Sequence, residues 1–399
     1  MIRYFKGAGT AAVIAALLNS CSMQPTLPAD EGTSKIDVKI FAAPKGMSKI
    51  PDHYIVLFND DVDIDYVNNE IQRLKGNYDF EVTNVYDGAV AGFSGFIPPG
   101  QLKKLAGDSN IERIEEDFTV QLEVVSDKAL LKGATAAVAQ STPWGIAAVG
   151  GYVDGTGLKR PDNSPRLAFI IDTGIDPKTG DLNIHPTLNK NFVSRTKSWY
   201  DGNGHGTHVA GTVAAKNNNV DVVGVAAGAT VVAVRVLDNR GSGQYSWIIA
   251  GVDYVARVGG STDVVNMSLG GGYYATLNNA IISASGKGIR FALAAGNSST
   301  DCSATSPAST NGNGIYTVSA HDINKYFASF SNYGTPVDFA APGVNILSSR
   351  PGGGTAAMSG TSMAAPHLAG ILMAYGSVVG NGVVIGDKDA SADPLAYRP

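Results

Sequence analysis

From residue 143 onward the chain alternates short apolar runs with stretches of helical spacing. Residues 167–171 (Leu-Ala-Phe-Ile-Ile) form a run of the length and composition of a strand buried on both faces, ending at Asp172 and Gly174. Similar runs predict strands at 231–237, 263–269 and 290–295, separated by helices at 246–258 and 276–285. Strand and helix in alternation predict an α/β domain with a mostly parallel sheet. A small-sided helix is expected to begin at His205, and another to run from Thr361 to about Gly376 with Pro366 in its first turn. The earlier part reads differently. Strands at 53–58, 81–86, 92–96 and 111–117 alternate with helices at 65–75 and 102–107, the first with Val67, Ile71 and Leu74 on one side. That order, β-α-β-β-α-β, is ferredoxin-like.

Three segments carry chemistry: I-I-D-T-G-I-D around Asp172, G-H-G-T-H-V-A-G-T around His205 and G-T-S-M-A-A-P-H around Ser362. A serine hydroxyl is a poor nucleophile until a histidine takes its proton and a carboxylate fixes that histidine's tautomer. Asp172 ends a strand, where sites form in open α/β sheets. His205 opens a helix among Gly202, Gly204 and Gly206, and Ser362 opens another, whose unpaired N–H groups suit a developing oxyanion. Each motif has a plainer reading: Asp172 as a turn former, Asp176 as a loop acid, an Asn after Ala-Ala-Gly as a turn. His205 and His208, three apart, could be metal ligands, but with six histidines, two cysteines and no nearby acid at ligand spacing the chain offers no third partner.

The three segments resemble those of the subtilisin-like serine proteases (subtilases), in wording and spacing close to the proteinase K branch. The likeness extends through V-L-D-N-R-G-S-G-Q-Y-S-W-I-I-A-G, V-V-N-M-S-L-G-G, A-L-A-A-G-N, S-F-S-N-Y-G and A-A-P-G, roughly residues 143–397. The resemblance implies a subtilisin-like, doubly wound catalytic domain and a serine endopeptidase. In it Asp172 orients His205, His205 is the general base, Ser362 attacks the scissile carbonyl and Asn297 is the oxyanion donor; His208 is structural. Gly241, Ser242 and Gly243 match one substrate-binding edge, and Ser268, Leu269 and Gly270 the other. Ala294, Ala295 and Gly296 line the pocket beside the scissile bond, and Tyr245 flanks a pocket further out. Small apolar linings imply broad cleavage after large apolar or aromatic residues. A lipase-type α/β-hydrolase fits poorly, because Gly360-Thr361-Ser362-Met363-Ala364 lacks the second glycine of G-x-S-x-G and acid and base precede the serine. An inactive binding protein on the same fold is the other alternative.

The 399 residues suffice for two or three domains. Charge separates them: residues 53–119 hold 5 Lys/Arg against 13 Asp/Glu, whereas residues 143–399 hold 17 against 16. No basic face suits a nucleic acid. The acidic unit resembles the inhibitor propeptide of subtilases, which implies a self-processing zymogen in which it is an intramolecular inhibitor. The expected organisation is a signal peptide at 1–20, a tether at 21–50, an inhibitor prodomain at 51–120, an exposed linker with the processing site at 121–141, and a catalytic domain at 142–399.

Arg3 and Lys6 followed by the apolar stretch 8–18 read as an export signal, too short to span a bilayer. Leu18-Asn19-Ser20-Cys21 resembles a bacterial lipobox with an atypical Asn19, so two outcomes stand: acylation of Cys21, giving a lipid tether to the cell envelope, or ordinary cleavage and secretion. Either places a monomeric enzyme outside the cytoplasm, acting on proteins or peptides. Cys302 is expected either as a free thiol near the cleft or as a buried structural residue. The chemistry needs no cofactor. A structural calcium is a candidate, because Lys216-Asn217-Asn218-Asn219-Val220-Asp221 matches the family's calcium loop with Asn218 as ligand, yet Thr187 stands where the family has a ligating Asp. A solvated Asn-rich turn is the alternative.

Overall fold

The computed structural model describes residues 39–41, 48–123, 125, 139–194 and 196–399. The expected signal segment, Cys21 and most of the expected linker lie outside them.

Among the described residues a ten-stranded sheet forms the main domain. Its central strand, Ala168–Asp172, is buried throughout. Thr230–Arg235 pairs with it in parallel on one side and Val264–Met267 on the other. Beyond Val264–Met267 lie Arg290–Ala294, Ile315–His321, Val337–Pro342 and Pro394–Tyr397, all parallel to their neighbours. Only Val379–Val383, at the far edge, pairs antiparallel. Because the chain leaves the central strand first to one side and then to the other, its carboxyl end is a topological switch point. Asp172 stands there.

Side-chain alternation along Ala168–Asp172 divides the core. Phe169 and Ile171 join a cluster with Ile248, Val252, Leu277 and Ile281, from helices Tyr245–Val258 and Ala275–Gly286. Ala168 and Ile170 face the opposite way, toward Val209, Val213, Leu368 and Leu372 from helices His205–Ala214 and Thr361–Tyr375. The sheet is therefore covered on both sides, as its unbroken apolar strands demand.

The amino-terminal domain is a sheet in the order Lys39–Phe41, Ile111–Gln121, Lys49–Phe58, Ala91–Phe96, Asn84–Asp87. Without the first strand this is the ferredoxin-like arrangement. Tyr54, Val56 and Phe58 point to one face, where Ile71, Leu74, Phe93 and Ile114 complete a small core beneath helices Val67–Lys75 and Pro99–Leu105. Ile55 and Leu57 point to the other face, and with Tyr86, Phe118, Val120 and Leu122 belong to the main domain's own core. Such side chains contribute about 1.5–3 kcal/mol each when fully buried, so the face is a docking surface and not a solvated one.

Acids tie the two domains. Asp117 accepts from the Ser246 N–H (3.1 Å) and hydroxyl (2.5 Å) at the start of helix Tyr245–Val258. Glu115 accepts from the Thr276 hydroxyl (2.6 Å) at the start of helix Ala275–Gly286. Neither helix has a side-chain cap from its own N-cap residue. In return Asp253 accepts from the N–H groups of Asp87, Gly88 and Ala89. The acidity of residues 53–119 is thus partly spent on helix N-termini, which favour negative charge.

Two boundaries differ from expectation. Lys39–Phe41, placed in the tether by sequence, is an edge strand paired with Arg113–Glu115. The last strand runs on to Gln121, and Leu122, expected in an exposed linker, is buried. The reason is a distant partner: Ser242, Gly243 and Gln244 pair antiparallel with Gln121, Val120 and Thr119.

Candidate active site

Asp172 is fully buried and accepts the Thr173 N–H at 2.6 Å. His205 Nδ1 lies 2.8 and 2.9 Å from its two carboxylate oxygens. A carboxylate only accepts, so Nδ1 carries the proton and Nε2 is left as the basic nitrogen. Burial pulls the His205 pKa down, but the charge and hydrogen bond of Asp172 outweigh it and the net shift is upward. Gly206 allows this close approach: a Cβ there would lie 2.2 Å from the Gly174 carbonyl and 3.1 Å from the Asp172 carboxylate.

The helix bearing His205 is anchored by Asp201, a residue the sequence reading passed over. Its buried carboxylate accepts from the N–H groups of Asn203, Gly204 and Thr207 and from the hydroxyls of Thr173 and Thr207, all at 2.6–2.9 Å. Thr173 in turn accepts the Gly206 N–H. The signal was available as an Asp four residues before His205, an N-terminal cap pattern.

Ser362 is held by Ser268. The Ser268 hydroxyl donates to the Ser362 carbonyl (2.8 Å), and the Ser362 hydroxyl donates to the Ser268 carbonyl (3.2 Å). Pro366 explains the first bond. It lies in the second turn of helix Thr361–Tyr375, not the first as expected, and having no N–H it cannot bond the carbonyl four residues back, which is that of Ser362. Ser268 supplies the missing donor. Ser268 and Asp172 follow paired residues of adjacent strands, Met267 and Ile171, so both stand at the carboxyl edge of the sheet. His205 is fixed on one and Ser362 on the other. The Ser362 hydroxyl is not hydrogen-bonded to His205 in this arrangement.

Asn297 is oriented by Thr361. Its Oδ1 accepts the Thr361 N–H (2.8 Å) and hydroxyl (2.9 Å), and since a backbone N–H can only donate, the amide NH2 must face outward. It donates to the Glu123 carbonyl at 2.8 Å. Asn332 braces the same loop, bonding the Ser298 and Thr300 N–H groups and the Ala295 carbonyl. Gly296, at φ +104°, leaves room for it, because a Cβ there would lie 2.3 Å from the Asn332 amide. Thr361 and Asn332 stand inside quoted motifs, but nothing in their spacing shows the contact.

The other expected residues fall around this centre. Ser268, Leu269, Gly270, Ala294, Ala295 and Gly296 line one cavity of about 220 Å³ with Asn297, Ser298 and Ser362. Gly241, Ser242 and Gly243 form the edge that receives the amino-terminal domain's last strand, with the Leu122 N–H on the Gly241 carbonyl (2.9 Å). Tyr245 stacks on Tyr274 (centroids 4.4 Å apart) and donates to the Gly272 carbonyl at 2.5 Å. Val120 reaches the same spot, because a Cβ on Gly271 would lie 2.6 Å from the Tyr245 hydroxyl and 3.5 Å from Val120.

His208 is not part of the centre. Its Nε2 faces the carbonyls of Ile346 and Ala356, and burial pushes its pKa down to about 4. Cys302 is fully buried and its thiol is pushed up to about 12, so it is a structural residue and not a reactive one. Asp176 caps the short turn Pro177–Thr179.

At the loop containing Asn218, the carboxylate comes from Asp181, earlier in the chain, and not from the position of Thr187, whose N–H turns back to His185. Asn218 Nδ2 donates to Asp181 (2.9 Å), and the Gln140 side-chain Oε1 accepts from the N–H groups of Asn218 and Asn219. Asp181 and Asp221 are 1% and 2% exposed. Burial, with the charge of Asp221 adding to it, pushes Asp181 up to about 6. Two carboxylates held out of water, one of them beside the Asn218 side chain, suit a hard cation such as calcium. No cluster of three or more His, Cys, Asp or Glu side chains placed for a metal occurs among the described residues.

With fold and geometry in place, the comparisons agree. Residues 169–377 match the subtilase family and residues 53–123 match the peptidase inhibitor I9 family. The chain is 36% identical to a cuticle-degrading protease of Metarhizium anisopliae over 366 residues, 90% of this chain and 88% of that protein. It is 34% identical to subtilisin-like protease 5 of Arthroderma benhamiae over 388 residues, 90% of this chain and 91% of that protein. Among solved structures it resembles a cold adapted subtilisin-like serine proteinase, with 33% identity and a TM-score of 0.52, covering 64% of this chain and 98% of that one. The chain belongs to the subtilase family. It is a serine protease of the proteinase K-like kind, preceded by an I9 inhibitor propeptide.

Proposed function

We propose that Asp172, His205 and Ser362 are the catalytic triad of a secreted endopeptidase made as a self-processing zymogen. The observation that carries this reading is His205 Nδ1 on both oxygens of a fully buried Asp172, with Ser362 anchored at the end of the adjacent strand. Turning about its Cα–Cβ bond, the Ser362 hydroxyl exchanges the Ser268 carbonyl for His205 Nε2. Oγ then attacks the scissile carbonyl while Nε2 takes its proton, and the carbonyl oxygen, now negative, receives the Asn297 amide and the Ser362 N–H. His205 returns the proton to the leaving amine, and the resulting acyl ester on Ser362 is hydrolysed by water through the same relay.

Substrates lie extended along Gly241, Ser242 and Gly243 and opposite Ser268, Leu269 and Gly270. The lining of Ala294, Ala295 and Gly296 supports broad cleavage after apolar and aromatic residues, with Tyr245 bordering an outer pocket. The organisation follows from the same reading: export by residues 1–20, a prodomain that inhibits until cut away, and a catalytic domain from about residue 142. Asp181, Asp221 and Asn218 would hold a calcium ion, which would neutralise buried charge and fix the loop without entering the chemistry.

An active-site-directed fluorophosphonate tests the triad. It is expected to label the peptide containing Ser362 in wild type, with casein degraded, and to leave Ser362→Ala unlabelled. Labelling elsewhere, or none in a processed and folded wild type, would overturn the assignment.

A further inference from the structure

The segment following the last prodomain strand reaches the centre just described. Leu122 is paired with Gly241, and the next carbonyl, that of Glu123, receives the Asn297 amide at 2.8 Å. The Glu123 side chain turns onto the same loop: one carboxylate oxygen accepts the Asn297 N–H (3.0 Å) and the other the Ser298 hydroxyl (2.9 Å). The Glu123 carbonyl meets the Asn297 amide in the cavity that Ser362 also lines, two residues past a strand paired with Ser242–Gln244, which is the placement expected of a bound substrate. Resting on the triad assigned above, we propose that the enzyme's first substrate is its own peptide bond on the carboxyl side of Glu123, and that Asn297 N–H and Ser298 form a rim that reads a glutamate carboxylate.

The chemistry of that cut follows from the groups present. Ser362 Oγ bonds to the Glu123 carbonyl carbon and its proton passes to His205. The bond to the nitrogen of residue 124 breaks as His205 protonates that nitrogen, which becomes a free amino terminus. One water then cleaves the Glu123 ester, its proton passing through His205 back to Ser362, and Glu123 is left with a terminal carboxylate. Glutamate suits the position because the two rim donors are neutral N–H and O–H groups aimed at the two oxygens of one carboxylate, a charge-assisted pairing. Ala294, Ala295 and Gly296 line the same cavity as Asn297 and Ser298. The pocket therefore takes glutamate in addition to the large apolar residues expected from its lining, and Ser298 is the residue that sets the balance.

Two readouts on the full-length protein test this. The amino terminus of the processed wild type, read by mass, is expected at residue 124; a first cut at any other bond would overturn the processing site. Peptides with Glu or Leu before the scissile bond are then compared on wild type and on Ser298→Glu, whose carboxylate opposes the incoming one. The Glu-to-Leu ratio of kcat/KM is expected to fall by about tenfold or more in the variant. An unchanged ratio, or a wild type that cuts after Leu and never after Glu, sinks the rim assignment while leaving the protease intact. A folded wild type that cuts neither peptide and takes no fluorophosphonate sinks the triad instead.

Discussion

The two faces of the main sheet finish their helices in opposite ways. On the face that carries His205, the helix start is closed by Asp201, a few residues upstream, and Ser362 is secured by Ser268. On the other face, helices Tyr245–Val258 and Ala275–Gly286 receive Asp117 and Glu115 from the prodomain. The first face is closed by residues of the main domain itself. The opposite face is completed by the prodomain. A prodomain so placed caps two helices and pairs with the edge Ser242–Gln244.

The self-contained face predicts the largest effects. Asp172→Asn is expected to lower kcat by roughly ten-thousandfold, the size known for the triad acid in serine proteases of this kind. Because His205 works as a neutral base and its pKa is raised chiefly against burial by Asp172, the acid limb of kcat/KM in wild type lies above the ordinary imidazole value. In Asp172→Asn that limb moves to lower pH, and a limb that stays put would mean another group holds the ring. Asn297→Ala is expected to lower kcat by ~100- to 1,000-fold with little change in KM, as for the corresponding donor in subtilisin. Steady-state kinetics on peptides decide both.

The borrowed face predicts intermediate effects. Asp117→Ala removes a cap worth about 1–2 kcal/mol, so a separately added prodomain carrying it should inhibit the mature enzyme roughly 5- to 30-fold more weakly. Equal inhibition would show that the cap contributes nothing to docking. The smallest effect belongs to the loop at Asp181. Its carboxyl is raised to about 6, above the ordinary 3.8, so the ionised form is disfavoured in the folded state. The metal-free protein should lose stability as pH rises from about 4 through 6. Calcium, which binds the ionised form, should restore it, raising Tm at neutral pH by a few degrees. Asp181→Asn should abolish the calcium effect; a Tm in that variant that still responds fully would remove Asp181 from the site.

What sequence made legible was local. The run before Asp172, the glycines around His205 and the start of the Ser362 helix carry their own local signal, and the strands and helices expected from the pattern fall within a few residues of their places, whereas the strands Ile315–His321, Val337–Pro342 and Val379–Val383 are not among them. What it concealed joins residues far apart. Pro366 looked harmless in a first turn, yet it empties the Ser362 carbonyl for Ser268. Thr361 orients Asn297, and Asp181 brings to Asn218 the carboxylate that Thr187 lacks, each through a contact that only folding creates. Gln121–Glu123 read as the start of a linker because their partners, Ser242 and Asn297, lie more than a hundred residues on.

The triad is most directly tested by combining its losses. Ser362→Ala, His205→Ala and the double variant, produced with the prodomain supplied separately and assayed on one peptide, should all fall by roughly a million-fold in kcat, the known scale for subtilisin, with the double variant no worse than either single one. Losses that multiply would mean the two side chains act independently, and the proton relay between them would have to be abandoned.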